Sequence, residues 1–148
     1  MINRTKKLRQ DVQRLLREDY PERKLQLTLL PERIATERAR LTSIRSASTE
    51  SGMQHGGGNI RQERDTAILV EIDRLKAELK TAEKEVDVIN KILGVLSKEE
   101  LRCIDLMDLN RQDSAIERLC LELKYEKSRV YNTYNDALER IGRLYWGR

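Results

Sequence analysis

The chain has 148 residues, 36% of them charged and 4% aromatic, with no phenylalanine and a net charge of +4. Such a composition favours long helices over a sheet or a thick globular core. No apolar run reaches the ~20 residues of a membrane span. The opening MINRTKKLRQ also lacks a signal-peptide core, so a cytoplasmic protein with no membrane partner is expected.

Two prolines and seven glycines leave most of the chain without a strong helix breaker, and an all-α fold follows. Residues 3–18 place Leu8, Val12, Leu15 and Leu16 on one face and basic residues around the other, which predicts an amphipathic helix. Tyr20-Pro21 should interrupt it, because the residue before a proline is pushed out of the helical region. Helix then resumes at Pro21, a residue tolerated at a first helical position. Leu27, Leu30, Ile34, Leu41 and Ile44 keep a 3/4 spacing if Glu37 is allowed one slot, so a helix over 22–45 is expected, kinked or briefly broken at Pro31.

Residues 46–62, SASTESGMQHGGGNIRQ, read as a flexible loop. Its GGG lies beside His55, but neither the strand nor the Lys-Ser/Thr of a phosphate loop accompanies it. As the only histidine, His55 has no triad partners there.

From Gln62 to Leu96 comes the most regular pattern in the chain. Ile68, Ile72, Leu75, Leu79, Ala82, Val86, Ile89, Leu93 and Leu96 alternate spacings of four and three, a heptad seam. Residues 22–45 can cover it as an antiparallel coiled-coil hairpin, or a second copy can pair through 68–96 as a homodimer. Because the first arm is shorter than the seam, part of the seam is left over, which favours some self-association.

Ser97 and Glu100 form a capping box that opens a helix over 97–109. Leu101, Cys103, Ile104, Leu106, Met107 and Leu109 make it apolar on more than one side, so it should pack against two neighbours. Asn110 to Asp113 is a polar break in which Asp113 can cap the next helix. Ile116, Leu119, Cys120 and Leu123 form the following stripe, and Lys124-Tyr125-Glu126 a tight turn. The last helix buries Val130, Tyr134, Ala137, Leu138, Ile141, Leu144 and Tyr145. The expected domains are a helical arm, 1–96, and a three-helix helix-turn-helix domain, 97–148.

Two short helices followed by a longer one opening with Lys, Ser, Arg and Asn match a helix-turn-helix, whose last helix reads the major groove. Opposite the last helix's buried stripe lie Ser128, Tyr131, Asn132, Asn135, Asp136, Glu139 and Arg143. The candidate DNA-binding residues are Lys124, Lys127, Ser128, Arg129, Tyr131, Asn132 and Asn135. Asn pairs bidentately with adenine and Arg with guanine, while Lys and Ser hold phosphates.

Charge distribution agrees in part. Residues 1–48 hold 12 basic and 6 acidic residues, a net +6, whereas 97–148 hold 10 of each. Within the latter, Lys124 to Arg148 carries 6 basic against 3 acidic residues. DNA affinity would then depend on where a few residues stand, with help from basic residues of helix 3–18 on phosphates. Cys103 and Cys120 read as small buried hydrophobes in a reducing compartment, a disulfide being less favoured. No carboxylate pair, thiol–base arrangement or metal spacing stands out, so no enzyme activity, cofactor or metal is expected.

LSKEELRCIDLM and IERLCLELKYEKSRVYNTYNDALERIGRLYWG resemble the sigma-factor region-four-like domain of small phage transcription regulators of the RinA and ArpU type. The pattern is carried by Leu119, Leu123, Tyr125, Ser128, Val130, Tyr131, Ala137, Leu138, Ile141 and Gly147. It departs at Asp108-Leu109-Asn110-Arg111, where relatives carry an aromatic and a glycine, and at Cys120. The resemblance covers the last third of the chain. It implies sequence-specific late-gene control from phage-encoded DNA binding, in a bacterial cytoplasm, with host RNA polymerase as a further partner. Two alternatives remain open on the residues: a small terminase-like packaging protein assembled as a ring, and a coiled-coil adaptor that binds protein.

Overall fold

The structure is a computed structural model and describes residues 3–50 and 58–147, with side chains of 47–50 and 58–59 left aside. Every regular element among the described residues is helical. Helix α1 (Arg4–Arg14) runs through a π-helical turn, Leu15–Asp19, into α2 (Tyr20–Glu50). Then come α3 (Gly58–Gly94), α4 (Lys98–Ile104), a second π-helical turn at Asp105–Leu109, α5 (Ala115–Leu123) and α6 (Lys127–Trp146). No helix among the described residues is long and apolar enough to cross a membrane. The chain divides into two compact units, Arg23–Lys84 and the remainder on either side of it.

In the unit Arg23–Lys84, α2 and α3 form an antiparallel hairpin. Leu30, Ile34 and Leu41 share one buried cluster with Ile68, Ile72 and Leu75, flanked by Ile44 and Leu79. Arg45 reaches Asp65 at 3.4 Å near the connecting end. Glu37, in the one polar slot of the α2 stripe, is partly covered and pairs with Arg40 at 3.2 Å. Pro31 lies inside α2 without ending it. A proline within a helix costs about 3 kcal/mol, while each fully buried Leu or Ile returns roughly 1.5–3 kcal/mol. The neighbours Leu30 and Ile34 therefore suffice to hold the helix through it. The expected loop 46–62 is shorter than its composition indicates: 46–50 and 58–62 are helical. The remainder, with His55 and the first two glycines of GGG, lies outside the described residues.

The other unit corrects two sequence expectations. Tyr20-Pro21 does not interrupt the helix; the Tyr20 N–H bonds the Leu15 carbonyl, five residues back. In a regular α-helix the Pro21 ring would crowd the carbonyl of Arg17, and a wider turn directly before it relieves that crowding. Nor does the boundary fall at 96/97, because residues up to Glu22 and those from Glu85 cluster with the C-terminal helices. Helix α1 packs along α6. The reason is a close approach at Gly142, where an added Cβ would meet Leu8 Cγ at 2.8 Å and Val12 Cγ2 at 3.0 Å.

Val12, Leu15 and Leu16 are buried here, as are Val86, Ile89, Leu93 and Leu96, the last four residues of the heptad stripe. Eight of the nine stripe residues are thus covered within one chain, with Leu79 half-buried. Tyr20 donates a hydrogen bond to Asn90. The Ser97–Glu100 capping box is present, at 3.1 and 3.0 Å. In the segment it opens, Cys103, Ile104 and Leu106 are buried against α5, α6 and the first π turn. Leu101, expected inside, is exposed.

Candidate nucleic-acid interface

Helices α5 and α6 are joined by three residues. Lys124 adopts a left-handed conformation, φ 57° and ψ 40°, and its N–H closes on the Cys120 carbonyl. That geometry stops a helix sharply. Extended Glu126 then starts α6. Asp113 does not cap α5: the preceding residue is Ser114, left-handed at φ 57°, and no side-chain cap is made.

Along α6 the expected inside is inside. Val130, Tyr134, Ala137, Leu138 and Ile141 are buried, together with Gly142. Leu144, at 52% exposed, and Tyr145, half-buried, are the exceptions. The expected outside also faces solvent. Lys124, Lys127, Ser128, Arg129, Tyr131 and Asn132 are exposed, and Asn135 one turn further on is half-buried. The Arg129 guanidinium lies 3.8 Å from the Tyr125 ring centroid, a stacking contact that holds the side chain across the turn.

Several cations of this unit are held in ion pairs. Arg102 is bidentate on Glu122 at 2.8 and 2.9 Å, tying α4 to α5. Arg140 reaches Glu100 at 3.3 Å, tying α6 to α4. Arg9 and Arg143 both approach Glu139 at 3.8 Å. Among the described residues, Lys124, Lys127, Arg129 and Arg111 enter no ion pair. Asp113, Glu117 and Glu126 at that end are exposed as well and likewise enter no ion pair, so these cations stand among carboxylates.

Beneath that end lies a polar network that composition does not announce. Asp108 is 2% exposed and accepts Tyr134 Oη–H at 2.9 and 2.8 Å and Arg17 Nε–H at 2.7 Å. Gln13 Nε2 in turn donates to Tyr134 Oη at 3.0 Å. Burial pushes the Asp108 carboxyl above the usual carboxylate range, and the donors of Tyr134 and Arg17 only partly counter it. Burial likewise raises the Tyr134 phenol, reinforced by Asp108. The two π turns touch here. Above the network a polar groove of about 430 Å³ is lined by Arg17, Arg111, Gln112, Glu117, Lys127 and Tyr131 among others.

The cations of helix 3–18 are divided between two places. Arg4 and Lys7 line a separate hollow with Arg143, near the C-terminal end of α6. Sixteen residues of α-helix separate Arg143 from Lys127, about 24 Å at the ~1.5 Å rise per residue. Arg17, outside the regular part of α1, is the N-terminal cation beside the first turn of α6. Sequence reasoning covered Arg17 only collectively, among the basic residues of helix 3–18, and missed Arg111. The polar break containing Arg111 was visible, but Arg17 meets Asp108 across 91 positions of chain and carries no local signal.

Cys103 and Cys120 are both free thiols. Burial pushes Cys103 up to about 11, with Glu100 and Glu99 adding to it.

No protein-family model matches the chain, and neither a curated protein nor a solved structure matches it. The site must be judged on its chemistry. One end of α6 offers two Asn amides, a serine hydroxyl, a phenol and unpaired cations on a single face, held by a sharp turn and a packed underside. Amides and guanidinium read base edges, and the cations hold phosphates.

Proposed function

We propose that the protein binds double-stranded DNA, laying the N-terminal half of α6 in the major groove, and acts as a sequence-specific phage transcription regulator. The observation that carries this reading is the segregation of charge. Arg102, Arg140 and Arg143 are spent on internal ion pairs, whereas Lys124, Lys127 and Arg129 stand unpaired beside Ser128 and Asn132. Lys127, Ser128 and Lys124 contact phosphates in this reading; Arg129, Asn132 and Asn135 face base edges, and Tyr131 lines the approach.

The resemblance to the RinA and ArpU type supports the finer statement, late-gene control in a bacterial cytoplasm with host RNA polymerase as a partner. Because the heptad stripe is covered within one chain, the reading requires no second copy. Selection of bound fragments from the source genome tests it. Enrichment of a discrete site upstream of phage genes is expected. Uniform recovery of fragments, with a solution mass of eight or more subunits, would replace the regulator by a packaging ring. No recovery at low salt would leave a protein-binding adaptor.

A further inference from the structure

The groove above Asp108 draws its cations from three distant segments: Arg17 from the first π turn, Arg111 from the break before α5, and Lys127 from the first turn of α6. Only Arg17 is fixed from below. Its Nε–H is held at 2.7 Å by a carboxylate that is 2% exposed, and its Nη2 lies 3.5 Å from the Met107 carbonyl. Those two bonds engage part of a five-donor fork, and the side chain remains 29% exposed toward the groove. A buried carboxylate is costly unless it is paired. An arginine locked by one, at the edge of an open polar groove, has its rotamer chosen before any ligand arrives. Glu117 is the opposing charge on the same groove.

We infer that Asp108, steadied by Tyr134 and Gln13, is a positioning residue that presents Arg17 to a DNA backbone phosphate, which Arg111 and Lys127 bind from the other sides. The N-terminal segment is then part of the DNA-binding surface through Arg17 and not through its more basic start. The inference rests on the DNA-binding reading above. It adds contacts that lie off the recognition helix.

The test is fluorescence anisotropy of the full chain on a random-sequence duplex over a salt series. Arg111→Ala and Arg17→Gln are each expected to weaken binding several-fold and to lower the salt slope by about one. Glu117→Gln, which removes the opposing charge, is expected to tighten binding a few-fold, a gain that damaged folding cannot imitate. Lys6→Ala, on the exposed face of α1, should match the parent. If the parent binds while Arg111→Ala and Glu117→Gln both match it, this inference is overturned and the recognition helix stands. If the parent does not bind at low salt, the DNA reading fails and takes the inference with it.

Discussion

Asp108 is the residue on which the packing around α6 turns. It is the one buried charged side chain among the described residues, and its three close contacts join segments from both ends of the chain. Since its folded pKa is raised, the protonated form is favoured by folding. That contribution is complete below the ordinary carboxylate value near 4 and is lost as pH rises through the folded value. Asp108→Asn cannot titrate. The stability advantage of the parent over Asp108→Asn should therefore shrink as pH rises above about 4, measured as paired melting temperatures. An advantage that grows with pH would mean that the Arg17 pair outweighs desolvation. Lys124 allows a second test. A non-glycine residue in the left-handed region costs about 1 kcal/mol, so Lys124→Gly should raise stability by roughly 0.5–1 kcal/mol in denaturant titration. The same change should weaken DNA binding, which separates the residue's charge from its conformational cost.

At the scale of elements, the close approach of α1 to α6 depends on Gly142. Alanine would gain about 1 kcal/mol of helix propensity, yet its Cβ would lie 2.6 Å from Leu8 Cδ1. Overpacking of that kind costs roughly 1–3 kcal/mol. Gly142→Ala should therefore destabilise, and Leu8→Ala in the same chain should recover much of the loss; additive losses from the two changes would contradict the contact. Gly142 also shows what the sequence could and could not reveal. The buried face of α6 was legible because its five core residues repeat at helical spacing, and the heptad stripe was legible for the same reason. That a glycine in this helix receives Leu8 and Val12 was not, since the contact spans more than 100 positions and glycine leaves no hydrophobic mark. Pro21 misled in the opposite direction. A local rule called for a break, and a π turn absorbed the proline within a continuous helix.

For the whole molecule, charge counted over segments is a poor guide, and charge sorted by partner is a better one. The most basic stretch, 1–48, sends Arg4 and Lys7 to the far end of α6, while the neutral C-terminal third keeps exposed cations without an ion pair at the start of that helix. The exposed face of α6 was legible from periodicity alone. Its groove and buried support were not, because they are assembled from segments distant in the chain. The antiparallel hairpin of α2 and α3 forms a unit of its own with a continuous apolar cluster. The claim on which the account depends is that the N-terminal half of α6 carries DNA affinity. It is tested most directly by comparing the parent with the double variant Arg129→Ala, Asn132→Ala for salt-dependent binding to duplex DNA. Both side chains are exposed, so the fold should survive the change, with only the stacking of Arg129 on Tyr125 lost. The account predicts binding by the parent that falls with salt, and loss of that binding in the double variant; a double variant that binds as the parent does would contradict it.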